Sequence, residues 1–140
     1  MRYAQIFILA LAAASTVCHA APQVSKESTM KHKQSALKIR VMAEYGSSGI
    51  WGFSEKETGG WRHGMLEHRA LKLPLELSDR FDRWILVYED QNSKGLLDTA
   101  AFNAEGMELA RLLKAFLGPT RHVEYQGEGN DGLLAPVVIE

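Results

Sequence analysis

The hydrophobic period of this chain changes twice between Leu37 and Gln126, and those two changes restrict the fold more than any other feature. Leu37, Ile39, Val41, Ala43 and Tyr45 alternate with Lys38, Arg40, Met42 and Glu44. That period of two belongs to a strand with one buried face. Gly46-Ser47-Ser48-Gly49 closes it as a turn; residues 50–53 (IWGF) predict a second strand and, past the turn at 55–60, residues 61–65 (WRHGM) a third. Together they form an antiparallel meander.

Beyond Pro74, which suits a first helical turn, the period becomes helical. Leu77, Phe81, Trp84, Ile85 and Tyr88 make one stripe among Asp79, Arg80, Asp82, Arg83 and Glu89, as in an amphipathic helix with Trp84 in the core. After a loop at 92–95, Asp98 or Thr99 caps a second helix whose stripe is Phe102, Leu109, Leu112, Leu113 and Phe116. Gly106 lies near that stripe; glycine inside a helix costs about 1 kcal/mol against alanine, so close approach of another backbone is its expected reason. Gly118-Pro119 stops the helix. Alternation returns at 121–126 (RHVEYQ), with Val123 and Tyr125 on one face and His122 on the less buried one, before a loop at 127–132. The expected class is α+β, a small antiparallel sheet with two antiparallel helices packed on one face.

Ahead of this region the chain reads as an export signal. Arg2 gives a positive start, residues 6–17 (IFILALAAASTV) an apolar stretch, and Cys18-His19-Ala20 small residues at a cleavage site before Ala21. The apolar stretch is shorter than the roughly 20 residues of a spanning helix, and no second one follows, so stable membrane insertion is not expected. The expected organisation is a signal peptide at 1–20, a disordered basic leader at 21–36 and a single α+β domain at 37–140. The location is then periplasmic or secreted, or cytoplasmic if Met30 is the true start. Cys18 is the single cysteine and leaves with the signal, so neither a disulfide nor a thiolate site is available to the domain.

Residues 37–140 carry 12 basic against 16 acidic side chains, a formal charge of −4. That balance argues against nucleic acid as the main partner and suits a basic protein. Signals for chemistry are sparse. His63 and His68 flank Glu67, but not at the spacing of a helical metal site, so metal and cofactor are expected to be none and both histidines to be solvated loop residues. Ser48 is not in the strand-to-helix setting of a nucleophile elbow. Glu44 with His63 is the acid–base pair that a small periplasmic hydrolase would use, and is retained as an alternative.

Aromatic residues are more suggestive. Tyr45, Trp51, Phe53 and Trp61 crowd one stretch among glycines, with Arg62 and His63 beside them. Large rigid rings and arginine dominate protein interfaces, so these six residues are the candidate partner-binding set. The pattern is similar to that of a family of small bacterial proteins that share Met42-Ala43-Glu44-Tyr45-Gly46 followed by Trp51, then Leu73-Pro74, Arg80-Phe81-Asp82, Trp84-Ile85 and Phe102-Asn103-Ala104-Glu105-Gly106. The resemblance implies a shared fold from Lys38 to Glu124 and no catalytic residue. The resulting expectation is an exported, non-catalytic binding protein: an immunity protein or inhibitor that neutralises a toxin or hydrolase. A ligand-binding or envelope-stress accessory domain is the further alternative.

Overall fold

The computed structural model describes residues 37–55 and 61–140. The expected signal peptide and leader lie outside the described residues. The elements run β1 (Lys38–Val41), β2 (Ile50–Glu55), β3 (Trp61–Met65), α1 (Leu75–Asn92), α2 (Thr99–Leu117), β4 (His122–Tyr125), β5 (Glu128–Gly129), β6 (Gly132–Leu133) and β7 (Val137–Ile139). Five strands form one sheet in the order β3, β2, β1, β4, β7, and β5 pairs with β6 in a separate small ribbon.

The architecture is the α+β class read from the sequence. β1, β2 and β3 are the expected meander; β4 returns beside β1 after the two helices and pairs with it in parallel, so the sheet is mostly rather than wholly antiparallel. Two helices between β3 and β4 are long enough for the crossover that a parallel pair needs. The segment expected as a loop at 127–132 instead carries the β5–β6 ribbon, through Glu128 with Leu133 and Gly129 with Gly132, and beyond it β7 pairs antiparallel with β4 through Val123 with Ile139 and Tyr125 with Val137.

Local chemistry fixes the ends of the helices. Pro74 is the N-cap of α1, and the Asp98 carboxylate caps α2 by accepting from the Ala101 N–H at 3.0 Å. Gly118, at φ 89°, ends α2 in a conformation that a side chain resists. The short connection at residues 93–98 makes the helices antiparallel neighbours.

One face of the sheet supplies Ile39, Val41, Ile50, Val123, Tyr125 and Ile139 to the core, and the helices cover it with Leu77, Phe81, Trp84, Ile85, Tyr88, Phe102, Leu109, Ala110 and Leu113. Trp84 sits at the centre as expected. Its ring stacks on Phe102 at 4.8 Å and 11°, and its indole N–H donates to the Phe102 carbonyl at 3.1 Å. Gly106 faces this cluster: a Cβ there would meet Tyr125 Cε2 at 2.5 Å and Trp84 Cζ2 at 2.6 Å. The close approach foreseen for Gly106 is therefore to two aromatic rings rather than to backbone.

Asn103 ties the small ribbon to α2. Its Oδ1 accepts from the Glu128 N–H at 2.9 Å and the Tyr125 hydroxyl at 3.0 Å, and its Nδ2 donates to the Glu128 carbonyl at 2.8 Å. The Glu128 side chain is less well served, because its Oε1 is buried with no hydrogen-bond partner among the described residues. Burial raises this carboxyl above its ordinary range, against a hydrogen bond with Tyr88 that lowers it. An acid whose folded-state pKa is raised loses stability as pH rises through that value, since the charged form is the penalised one. Glu128→Gln is therefore expected to stabilise the domain by about 0.5–1 kcal/mol at pH 7. Urea unfolding at pH 7 and pH 4 checks this: the gain should shrink at the lower pH, which favours the neutral form of Glu128.

Candidate recognition surface

Both helices of the described residues lie on one side of the sheet; among the described residues no helix covers the other side, and strand register decides what stands there. Lys38 pairs with Phe53 and with His122, and Phe53 with His63; Arg40 pairs with Trp51 and with Glu124, Trp51 with Met65 and Glu124 with Val138. Successive residues of a strand alternate between faces. These residues therefore share the face opposite Ile39, Val41 and Val123. Two rows cross the open face: His63, Phe53, Lys38 and His122, then Met65, Trp51, Arg40, Glu124 and Val138.

Glu124 organises the centre. Although on the helix-free side, it is only 6% exposed, covered by the side chains that bind it. Arg40 donates to its Oε2 from Nε at 3.0 Å and Nη2 at 2.9 Å; Lys38 Nζ lies 3.1 Å and His122 Nε2 2.9 Å from its Oε1. Arg40 also donates to Gln126 Oε1 at 3.0 Å, and its guanidinium lies over the Phe53 ring at 4.5 Å. Phe53 in turn stacks on His63 at 5.6 Å and 27°. The Trp51 indole N–H donates to the Met42 carbonyl at 3.1 Å, which fixes that ring. The result is a patch of Trp51, Phe53, Met65 and Val138 beside a held guanidinium, in which neighbours fix Arg40, Trp51 and Phe53.

The pH dependence follows from Glu124. Burial raises its pKa, but hydrogen bonds from His122, Lys38 and Arg40 overcome burial and hold it at about 2, below the ordinary 4.5. An acid with a depressed folded-state pKa contributes stability that is present above its unfolded pKa and lost as pH falls through the folded value. Between about pH 4.5 and about 2 the domain is expected to lose about 1–3 kcal/mol from this group. Acid titration followed by circular dichroism should show the loss, and Glu124→Gln should flatten the profile in that window.

Of the six residues anticipated as partner-binding, the structure brings Trp51, Phe53 and His63 together on this face. Tyr45 is elsewhere: it follows the end of β1, lies 5.1 Å from the Tyr88 ring on α1 and accepts from Asn92 Nδ2 at 3.3 Å. Trp61 and Arg62 enter β3 opposite Glu55 and Ser54, but their side chains lie outside the described residues. Lys38, Arg40, His122, Glu124 and Gln126 were missed. Their signal was parity, since Lys38 and Arg40 alternate out of phase with the apolar residues of β1. Only the pairing of β1 with β4 reveals that this parity meets Glu124.

The Glu44–His63 pair is not assembled. His63 is in register with Lys38 at the start of β1, whereas Glu44 lies beyond Val41 at its end, so at least about 10 Å of strand separates them. His68 also departs from expectation. It is not a solvated loop residue: its side chain is 14% exposed, packs on Phe81 at 5.5 Å, and its Nε2 lies 2.8 Å from the Ser48 carbonyl and Nδ1 3.5 Å from Asp82. The Ser48 hydroxyl donates to the Leu66 carbonyl at 2.8 Å. His68 thus bridges Asp82 and the Ser48 carbonyl rather than the Ser48 hydroxyl, so the serine–histidine hydrogen bond that would activate a nucleophile is not made among the described residues. These contacts pin the β1–β2 turn to the β3–α1 connection and to α1.

Residues 37–128 match the Serratia CdiI immunity protein-like family, and the chain belongs to that family. The match runs from β1 to the first residue of β5 and includes every element of the core except β7. No curated protein and no solved structure matches the chain.

Proposed function

We propose that this protein is an immunity protein that neutralises a toxin by binding it, with the helix-free sheet face around Arg40, Trp51, Phe53 and His63 as the contact surface. Membership of an immunity protein-like family supports the toxin as partner. The observation that carries the surface is the arginine held over Phe53 by Glu124 and Gln126, beside a tryptophan anchored by its own N–H. Tryptophan and arginine are the residues most enriched among energetic contacts at interfaces. Neutralisation by binding needs no nucleophile or acid–base pair in the immunity protein, in keeping with a Ser48 hydroxyl spent on a backbone carbonyl and a Glu44 set apart from His63.

The location of that binding is part of the proposal. Arg2, the apolar residues 6–17 and the small residues before Ala21 support export to the periplasm, where the domain would meet its toxin. The experiment is co-purification of C-terminally tagged full chain from a periplasmic extract, with mass spectrometry of bait and partner. A stoichiometric toxin with a bait beginning at Ala21 is the expected result. A bait recovered alone speaks against the toxin-binding reading, and a bait retaining residues before Ala21 speaks against export.

A further inference from the structure

A second surface lies on the far side of the domain, in the groove between α1 and α2. Its cavity is about 270 Å³, with Trp84 and Phe102 among its lining and Val87, 41% exposed, on the α1 wall. That is below the ~300–1,000 Å³ of pockets that enclose a drug-sized molecule. It leaves room for a side chain or two.

The charges around it are unevenly committed. Arg80 donates to both Glu105 oxygens, at 2.8 and 2.9 Å, and that hydrogen bonding raises its pKa. Asp98 uses one oxygen to cap α2. Arg83 and the Gln91 amide have no side-chain partner among the described residues. Because α1 and α2 run antiparallel, Arg83 lies toward the end closed by the Arg80–Glu105 pair. Gln91 lies toward the other end, with Asp98. Eight helical residues separate Arg83 from Gln91, about 12 Å at the helical rise. The groove is therefore bipolar: an unpaired cation at one end, an anion and an amide at the other, apolar surface between. An occupant of a single charge sign meets a like charge at one end.

We propose that this groove receives a short extended segment of the toxin in which apolar side chains are bracketed by an acidic residue, at Arg83, and a basic residue, at Asp98 and Gln91. The inference rests on the toxin-binding reading above and adds a second point of contact to it. About 12 Å corresponds to roughly four extended residues.

Three peptides test it, each titrated into ¹⁵N-labelled full chain: Ac-Glu-Leu-Leu-Lys-NH2 and the single-sign controls Ac-Glu-Leu-Leu-Glu-NH2 and Ac-Lys-Leu-Leu-Lys-NH2. The mixed peptide should shift the Trp84 indole and the Val87 and Ala101 amides and bind at least about 3-fold tighter than either control. In Arg83→Glu, an exposed substitution whose fold the same spectra verify, the preference should pass to the all-lysine peptide. Equal binding of the three peptides, shifts confined to other surfaces, or an unchanged preference in Arg83→Glu would each overturn the proposal. None of those results touches the toxin-binding reading, which stands or falls on co-purification and on variants of the sheet face.

Discussion

Gly106→Ala is expected to destabilise the domain by about 2–4 kcal/mol, since among the described glycines an added Cβ meets its nearest neighbour at the shortest distance here. Helix propensity alone predicts the reverse sign, since alanine in a helix interior is favoured over glycine by about 1 kcal/mol. Packing decides the outcome. The added Cβ would stand 2.5 Å from Tyr125 Cε2, 2.6 Å from Trp84 Cζ2 and 2.7 Å from the Tyr125 hydroxyl, and all three separations are shorter than carbon contacts tolerate. Neither ring can yield cheaply. Trp84 is stacked on Phe102 and bonded to its carbonyl, and the Tyr125 hydroxyl is bonded to Asn103, which in turn holds the Glu128 backbone. Relief requires α2 to move off the sheet, which opens the core along its length. Thermal and urea unfolding of the variant give the measurement. A stability equal to or above that of wild type would mean that Gly106 is not at the closest approach of helix and sheet.

Trp51→Ala is expected to weaken the toxin complex by about 2–4 kcal/mol, at least 30-fold in Kd, while the fold survives. The two consequences separate because of where the ring stands. Trp51 lies on the open face, pairs with Arg40 in the register and contributes to the fold one indole hydrogen bond to the Met42 carbonyl. The folding core beneath is built from Ile39, Val41, Ile50 and the helices, and Trp51 is not part of it. Removing the ring should cost about 1 kcal/mol of stability, the worth of that hydrogen bond and some partly exposed area. A partner seated on the face would lose its largest apolar anchor.

Much of this was legible in the sequence, for reasons that differ from element to element. The α1 stripe of Leu77, Phe81, Trp84, Ile85 and Tyr88 is buried throughout, because a helix packed on a sheet must present one continuous apolar face. β1 was read too long: Ala43 is buried, but the chain turns at Glu44 to Ser47, so its burial reflects the turn folding back rather than pairing. β7 escaped notice because its three residues are legible as a strand only once β4 offers an edge. Trp51, Phe53 and His63 could be nominated from their clustering. Glu124 could not, since a carboxylate among 17 acids acquires meaning only when the parallel pairing of β1 and β4 sets Lys38 and Arg40 beside it. His68 was misjudged for a related reason: its partners, Ser48 and Asp82, are 20 residues before it and on the next helix.

The central claim is that the toxin is held by the helix-free face of the sheet. Its most direct test is isothermal titration of the co-purified toxin into wild-type protein, Trp51→Ala and, as a control on α2 outside the α1–α2 groove, Arg111→Ala. Wild type and Arg111→Ala should agree within about 2-fold, since an exposed i,i+3 pair with Glu108 contributes little. Trp51→Ala should bind at least about 30-fold more weakly with its fold intact. A folded Trp51→Ala that binds the toxin as tightly as wild type would contradict the account and move the contact to another surface.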